Sequence, residues 1–169
     1  AQGDAVFGAG SSQALDISGC ISRMTAFVGQ MLGCSLPSPS HWKVSRVDVT
    51  NNLQLDDLAA VRVALSTLRY CEGGRYRVSQ QAGDTVYWSH RSKMRSGKAY
   101  AKGPHLQYMM KKPSYEGYPY TSDQLVAANS LLRLELKLGR EWFSRHDWKL
   151  VTPAMLRNEW HDYFGRMIG

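Results

Sequence analysis

Leu131-Leu-Arg-Leu-Glu-Leu-Lys-Leu138 alternates apolar and charged residues from Leu132 onward. On a strand, Leu132, Leu134, Leu136 and Leu138 point to one face, and Arg133, Glu135 and Lys137 to the other. Ser45-Arg-Val-Asp-Val-Thr50 repeats the design, with Val47 and Val49 on one face and Arg46, Asp48 and Thr50 on the other. Each strand carries a central acid flanked by a base, backed by apolar side chains. Antiparallel sheets tolerate one packed face and one wet face, so both stretches fit such a sheet.

Outward from these strands, the chain punctuates itself. Apolar residues at Leu15, Ile17, Ile21, Met24, Phe27, Val28, Met31 and Leu32 predict an amphipathic helix, which the prolines of Ser35-Leu-Pro-Ser-Pro-Ser40 stop. A strand is expected from Trp42 to Thr50, a turn at Asn51-Asn52, and a helix from Leu55 to Arg69 with Asp56 and Asp57 in its first turn. Tyr76–Gln80 and Thr85–His90 read as a hairpin around Gln81-Ala-Gly-Asp84. Arg91 to Gly97 reads as a basic loop, Lys98 to Lys102 as a short strand, and Pro104 to Lys112 as a helix with proline in its first turn. Thr121 and Gln124 have capping-box spacing. Glu141–His146 and Thr152–Met167 predict two further helices, the second with Thr152 as cap and Pro153 at its first position.

These elements predict an α+β fold: one domain over 1–169, with a central antiparallel sheet of about five strands and helices packed on it. Residues 1–42 are read as an N-terminal loop and helix, 43–145 as the core that carries the chemistry, and 146–169 as a C-terminal helical segment. The chain starts without Met and without the basic flank of a secretory signal, and is expected to be a piece of a longer protein. It contains no apolar run long enough to span a bilayer, so no membrane partner is expected.

Of the 169 residues, 21 are Lys or Arg and 14 are Asp or Glu, a net charge of +7, which favours a polyanionic partner. The imbalance is concentrated. Between Arg75 and Lys112 nine cations face the single acid Asp84, and Tyr76, Tyr87, Trp88, Tyr100 and Tyr108 are interleaved with them. Cations neutralise phosphates and aromatic faces stack on unpaired bases. The candidate DNA-binding set is Arg46, Arg75, Arg77, Trp88, Arg91, Lys93, Arg95, Lys98, Lys111, Lys112, Arg133 and Lys137.

Three cysteines without CxxC spacing, Cys20, Cys34 and Cys71, argue against a zinc site and a disulfide framework; Cys20 and Cys34 are read as buried thiols in a reducing cytoplasm. No phosphate-binding glycine loop precedes Gly97-Lys98, and no nucleophile elbow is present.

The chemistry concentrates in Lys98-Ala-Tyr-Ala-Lys-Gly-Pro-His-Leu-Gln-Tyr-Met-Met-Lys-Lys112. If the two acid-bearing strands pair, Asp48 and Glu135 come near each other. With neutral His105 they would form a site for Mg²⁺ or Mn²⁺, able to polarise a phosphodiester. Tyr100 or Tyr108 could then attack phosphorus. Each acid is equally readable as a salt-bridge partner of Arg46, Arg133 or Lys137.

The ordered set Ser45–Thr50, Val86-Tyr-Trp88, Ala99-Tyr-Ala-Lys102, His105-Leu-Gln107 and Leu132–Lys137 resembles the gene II/X replication initiators of filamentous phages. Gln2-Gly3 with Val6-Phe7-Gly8 resembles the segment upstream of that pattern. The resemblance spans about residues 1–145. It implies a rolling-circle nickase: a sheet-and-helix fold, nicking of origin DNA by tyrosine, a 5′-phosphotyrosine, and strand transfer that closes the circle. It implies a divalent cofactor, phage or plasmid origin DNA in single- and double-stranded form as partner, and host helicase and DNA polymerase downstream in the bacterial cytoplasm. The family tyrosine matches Tyr100, with Lys102 beside it, and the two acids match Asp48 and Glu135. His105 stands where such proteins tend to carry Glu, which changes the charge of the site. Tyr108 opens a Tyr-x-x-x-Lys112 spacing like that of other rolling-circle nickases, so Tyr108 stays beside Tyr100 as a candidate nucleophile.

Overall fold

The structure is a computed structural model that describes residues 17–38, 41–73, 77–81, 83–117, 119–146 and 153–168. Its centre is one five-stranded, wholly antiparallel sheet: β1 (Val47–Gln54), β2 (Val78–Gln81), β3 (Thr85–Trp88), β4 (Arg95–Ala101) and β5 (Leu131–Leu138), in the order β1-β5-β4-β3-β2. The helices are α1 (Ile17–Leu32), α2 (Leu58–Leu68), α3 (Lys102–Met110), α4 (Ser122–Asn129), α5 (Arg140–Arg145) and α6 (Pro153–Ile168). The α+β fold with a five-stranded antiparallel sheet is the one expected. Among the described residues no helix is long and apolar enough to cross a membrane.

β5 lies between β1 and β4 and divides the molecule into two faces. Leu132, Leu134, Leu136 and Leu138 are each at most 3% exposed, and burying each such side chain is worth about 2 kcal/mol before entropy is counted. They pack with Val86, Trp88, Ala99 and Ala101 of the sheet, with Val61, Leu65 and Leu68 of α2, with Trp142 and Phe143 of α5, and with Leu156, Tyr163, Phe164 and Met167 of α6. Small residues on β4 let α6 come close. A Cβ on Gly97 would lie 2.5 Å from the Tyr163 ring, so only glycine fits there. Arg95, on the same face, donates to Glu159 at 2.8 Å and Asp162 at 3.1 Å, and Trp142 Nε1 also donates to Glu159. This part-buried network ties β4 and α5 to α6.

Several boundaries differ from the sequence expectations, each for a local reason. β1 starts at Val47 and runs through Asn51-Asn52 to Gln54 instead of turning there, because β5 supplies eight partners; Asn52 Oδ1 accepts from Arg133 Nε at 2.8 Å. α2 starts after Asp57, whose carboxylate accepts from the Ala60 amide and caps the helix. The basic loop before Lys98 is partly strand, since Arg95–Gly97 pair with β5 and Gly97 pairs with β3 as well. The strand stops at Ala101, one residue short of the expected Lys102, because α3 begins at Lys102 directly after β4; Pro104 lies in the first turn of that helix, as expected. The capping box at Thr121 and Gln124 is present. Cys34 is exposed, because it lies past the end of α1. The Thr152 cap, Gly74, Arg75, Tyr76 and the side chain of Cys20 lie outside the described residues.

Candidate active site

The other face of the sheet is polar, and the period of two decides what it carries. β4 contributes Ser96, Lys98 and Tyr100, β5 contributes Arg133, Glu135 and Lys137, and β1 contributes Asp48 and Thr50. Lys98 stands directly opposite Glu135, and Tyr100 opposite Arg133. Thr50 stands opposite Glu135 and Asp48 opposite Lys137. The two strands that share an acid-and-base design are therefore neighbours, with Asp48 and Glu135 diagonal to each other on one face.

Tyr100 is the centre of this face. Its hydroxyl donates to Glu135 Oε1 at 2.7 Å. Its ring lies 4.5 Å, centroid to centroid, from that of His105, which the first turn of α3 folds back over the sheet. Lys98 Nζ sits 4.0 Å above the same ring and 4.0 Å from Glu135 Oε2. Arg133 Nη1 is 3.9 Å from Glu135 Oε1. The tyrosine is only 3% exposed, so the phenol is covered as well as tied.

Burial and charge reshape the titration of the cluster. Burial, followed by the hydrogen bond and charge of Glu135, pushes the Tyr100 phenol well above its ordinary value. Burial lowers Lys98, against the attraction of Glu135. Burial and then the Arg133 charge bring Lys102 down to about 8. Burial, then Lys98 and Lys102, bring His105 down to about 4, so its imidazole is neutral at neutral pH. The site is thus a protonated phenol on a carboxylate, ringed by cations that crowd one another.

The three residues predicted to hold a metal are not gathered equally. Arg46 takes both Asp48 oxygens, Nε to Oδ1 at 2.9 Å and Nη2 to Oδ2 at 2.6 Å. Among the described residues no group of three His, Cys, Asp or Glu side chains is placed to hold an ion. Glu135 and His105, which both touch Tyr100, fit a divalent ion by donor chemistry: a hard carboxylate and a neutral imidazole. Asp48 does not stand with them.

The other predicted residues fall into separate groups. Tyr108 is 60% exposed on α3 with Lys112 Nζ 4.7 Å from its ring, and no carboxylate holds its hydroxyl among the described residues. Lys111 follows at the end of that helix. Arg46, Arg91, Lys93 and Lys137 line one cleft. Trp88 is a core residue, fully buried with its indole N–H donating to the Cys71 carbonyl, and so offers no face to a base. Arg95 is spent on α6, and Arg77 pairs with Glu72. Arg75 lies outside the described residues. Sequence reasoning places Lys98 only among the DNA contacts. The two-residue step from Lys98 to Tyr100 already puts both on one strand face, which is the signal that links them.

A family model described as the N-terminal region of a replication-associated protein, that of the phage gene II product, matches residues 1–161. The chain belongs to this replication-associated family. The match covers the whole sheet, the Tyr100 cluster and the first half of α6. It agrees with the resemblance to filamentous-phage gene II initiators and places the chain among phage replication proteins. Neither the curated proteins nor the solved structures include a match to it.

Proposed function

We propose that this member of the gene II replication family nicks single-stranded origin DNA through Tyr100 and transfers the strand. The observation that carries the reading is the 2.7 Å hydrogen bond from the Tyr100 hydroxyl to Glu135, set among Lys98, Lys102 and Arg133. A phenol is a weak nucleophile until a base takes its proton, and Glu135 is in position to do so. The Tyr100 oxygen forms a bond to phosphorus, the bond from phosphorus to the 3′ oxygen breaks, and a 5′-phosphotyrosine results. Lys98 and Arg133 stabilise the negative charge that grows on the phosphoryl oxygens. Lys102 carries a proton at neutral pH and holds it loosely, which suits donation to the departing 3′ oxygen. Attack by a 3′-hydroxyl on the phosphotyrosine reverses the steps and joins the strand.

Glu135 and His105 would hold Mg²⁺ or Mn²⁺, with phosphate oxygens of the DNA among its other ligands. When bound, the ion would add Lewis-acid polarisation of the phosphate. The freed 3′-hydroxyl is a primer for a host DNA polymerase behind a host helicase, in the bacterial cytoplasm.

The burial of Tyr100 favours a second reading, an origin-binding module that does not cut. Incubation with origin single strands and Mn²⁺ separates the two. A protein–DNA adduct that survives denaturation supports the nickase. Tight binding by the folded protein with neither nick nor adduct supports the binding module and sinks the nickase.

A further inference from the structure

A second basic feature lies on the same sheet face, beyond the Tyr100 cluster. It is a cleft of about 620 Å³ where β1 and β5 meet the loop that joins β3 to β4 and the first turns of α5. Five cations line it: Arg46, Arg91, Lys93, Lys137 and Arg140. Glu141 is the acid among its lining residues. Arg46 is paired with Asp48, whereas Arg91, Lys93, Lys137 and Arg140 have no carboxylate partner among the described residues. Five cations against the one lining acid, four of them without an ion pair among the described residues, leave the concavity positive, which favours an anion.

The walls are fixed before any ligand arrives. The Gly139 amide donates to the Met94 carbonyl at 2.8 Å, and the Glu141 amide donates to the Lys93 carbonyl at 3.3 Å. Ser92 Oγ accepts from the amides of Met94 and Arg95. A Cβ on Gly139 would lie 2.2 Å from the Lys93 carbonyl oxygen, so the close approach of the two segments depends on glycine.

The lining also says which anion. It holds cations and serines but no aromatic side chain, so nothing there would stack on a base. A free nucleotide would have no platform for its base, and a lone phosphate would occupy little of the volume. Phosphodiester backbone needs only the cations. The cleft also lies one strand step from the Tyr100 cluster. Lys137 is two residues from Glu135 on the same strand face, about 7 Å away, of the order of one nucleotide of an extended strand.

We infer that this cleft holds backbone phosphates of the DNA strand next to the one presented to Tyr100, and so sets the strand's register without reading its sequence. That these phosphates neighbour the one at Tyr100 rests on the strand-transfer reading; phosphate binding by the cleft does not. Arg140 and Ser144 thereby join the DNA-contacting surface.

The test uses the Lys93→Ala/Arg140→Ala double variant, since both side chains are exposed and outside the Tyr100 cluster. Binding to oligo(dT) and to an abasic strand is measured across a salt series. The expected result is an affinity loss of about tenfold or more, equal on both strands. The slope of log affinity against log salt should fall by about 0.7 for each contact removed. Single-turnover adduct formation should need more DNA yet reach the wild-type rate at saturation. An unchanged salt slope, a loss confined to the base-bearing strand, or a lower rate at saturation would overturn the inference. So would competition by micromolar ATP or inorganic phosphate that vanishes in the variant while its DNA slope stays intact. If the slope falls as expected and no adduct ever forms, the cleft stands and the strand-transfer reading fails.

Discussion

Tyr100 and Glu135 meet diagonally across β4 and β5: Glu135 stands directly opposite Lys98, yet its Oε1 accepts the Tyr100 hydroxyl at 2.7 Å. One carboxylate thereby holds a phenolic proton on one oxygen and faces an ammonium on the other. Phenol, carboxylate and ammonium form a single unit.

Replacing the Glu135 carboxylate while keeping its shape tests both roles proposed for it, proton acceptor and metal ligand. Glu135→Gln should slow adduct formation by about 10²- to 10⁴-fold, the usual range for a general base. The Tyr100 phenol should titrate lower than in the wild type and still above an exposed tyrosine, since burial is the larger cause of its shift. Single-turnover kinetics and ultraviolet absorbance at high pH read the two effects. Wild-type kinetics in this variant would remove Glu135 from the chemistry.

Lys102 should move activity and stability in opposite directions. Its folded value of about 8 lies below the ordinary 10.5, so between those values the unfolded chain binds more protons and stability rises with pH. At neutral pH the buried charge is a cost. Lys102→Met should therefore raise the melting temperature at pH 7 while lowering the rate of adduct formation. In the wild type, that rate should decline as pH rises through about 8. Thermal melts and a pH–rate profile check both.

His105 sets an acid limit. It is depressed from 6.5 to about 4, so stability is complete above 6.5 and is lost as pH falls toward 4, where the unfolded chain takes the proton first. His105→Gln should flatten the dependence of melting temperature on pH in that window. The same variant should raise the half-saturating Mn²⁺ concentration for adduct formation by about tenfold or more, and chelation of the ion should stop the reaction in the wild type. Asp48→Asn should leave that concentration close to wild type, because Arg46 already occupies both Asp48 oxygens.

The contact between β4 and α6 can be probed away from the site. Gly97→Ala drives a Cβ toward the Tyr163 ring, 2.5 Å from it, and should cost about 1–3 kcal/mol, the usual penalty of overpacking. Urea denaturation measures the loss. Stability equal to wild type would show that α6 can back away from the sheet without cost.

Much of this arrangement was legible in the residues. The leucine ladder from Leu132 to Leu138 places β5 inward on one face and Glu135 on the other, and the matching pattern around Asp48 brings β1 to the same sheet. Pairing and boundaries were harder to read. Asn51 and Asn52 look like a turn in isolation and are strand because β5 is long enough to pair with them. Trp88 looks like a stacking platform among cations, but its place on β3 aims it at Phe164 in the core. Arg95 looks like a DNA contact, and its acids lie 64 and 67 residues further along the chain, a separation that no local pattern shows. The same distance effect hid Arg140, which joins Arg91 and Lys93 only when the loop before β4 docks on the turn after β5.

The most direct test is to map the tyrosine that carries the DNA. Trypsin separates the two candidates, since Tyr100 falls within Ala99–Lys102 and Tyr108 within Gly103–Lys111. After reaction with origin single strands and nuclease trimming, mass spectrometry should find the nucleotide on the Ala99–Lys102 peptide, and Tyr100→Phe should yield no adduct. Nucleotide on the Gly103–Lys111 peptide, with adduct persisting in Tyr100→Phe, would contradict the assignment and move the chemistry to the exposed face of α3.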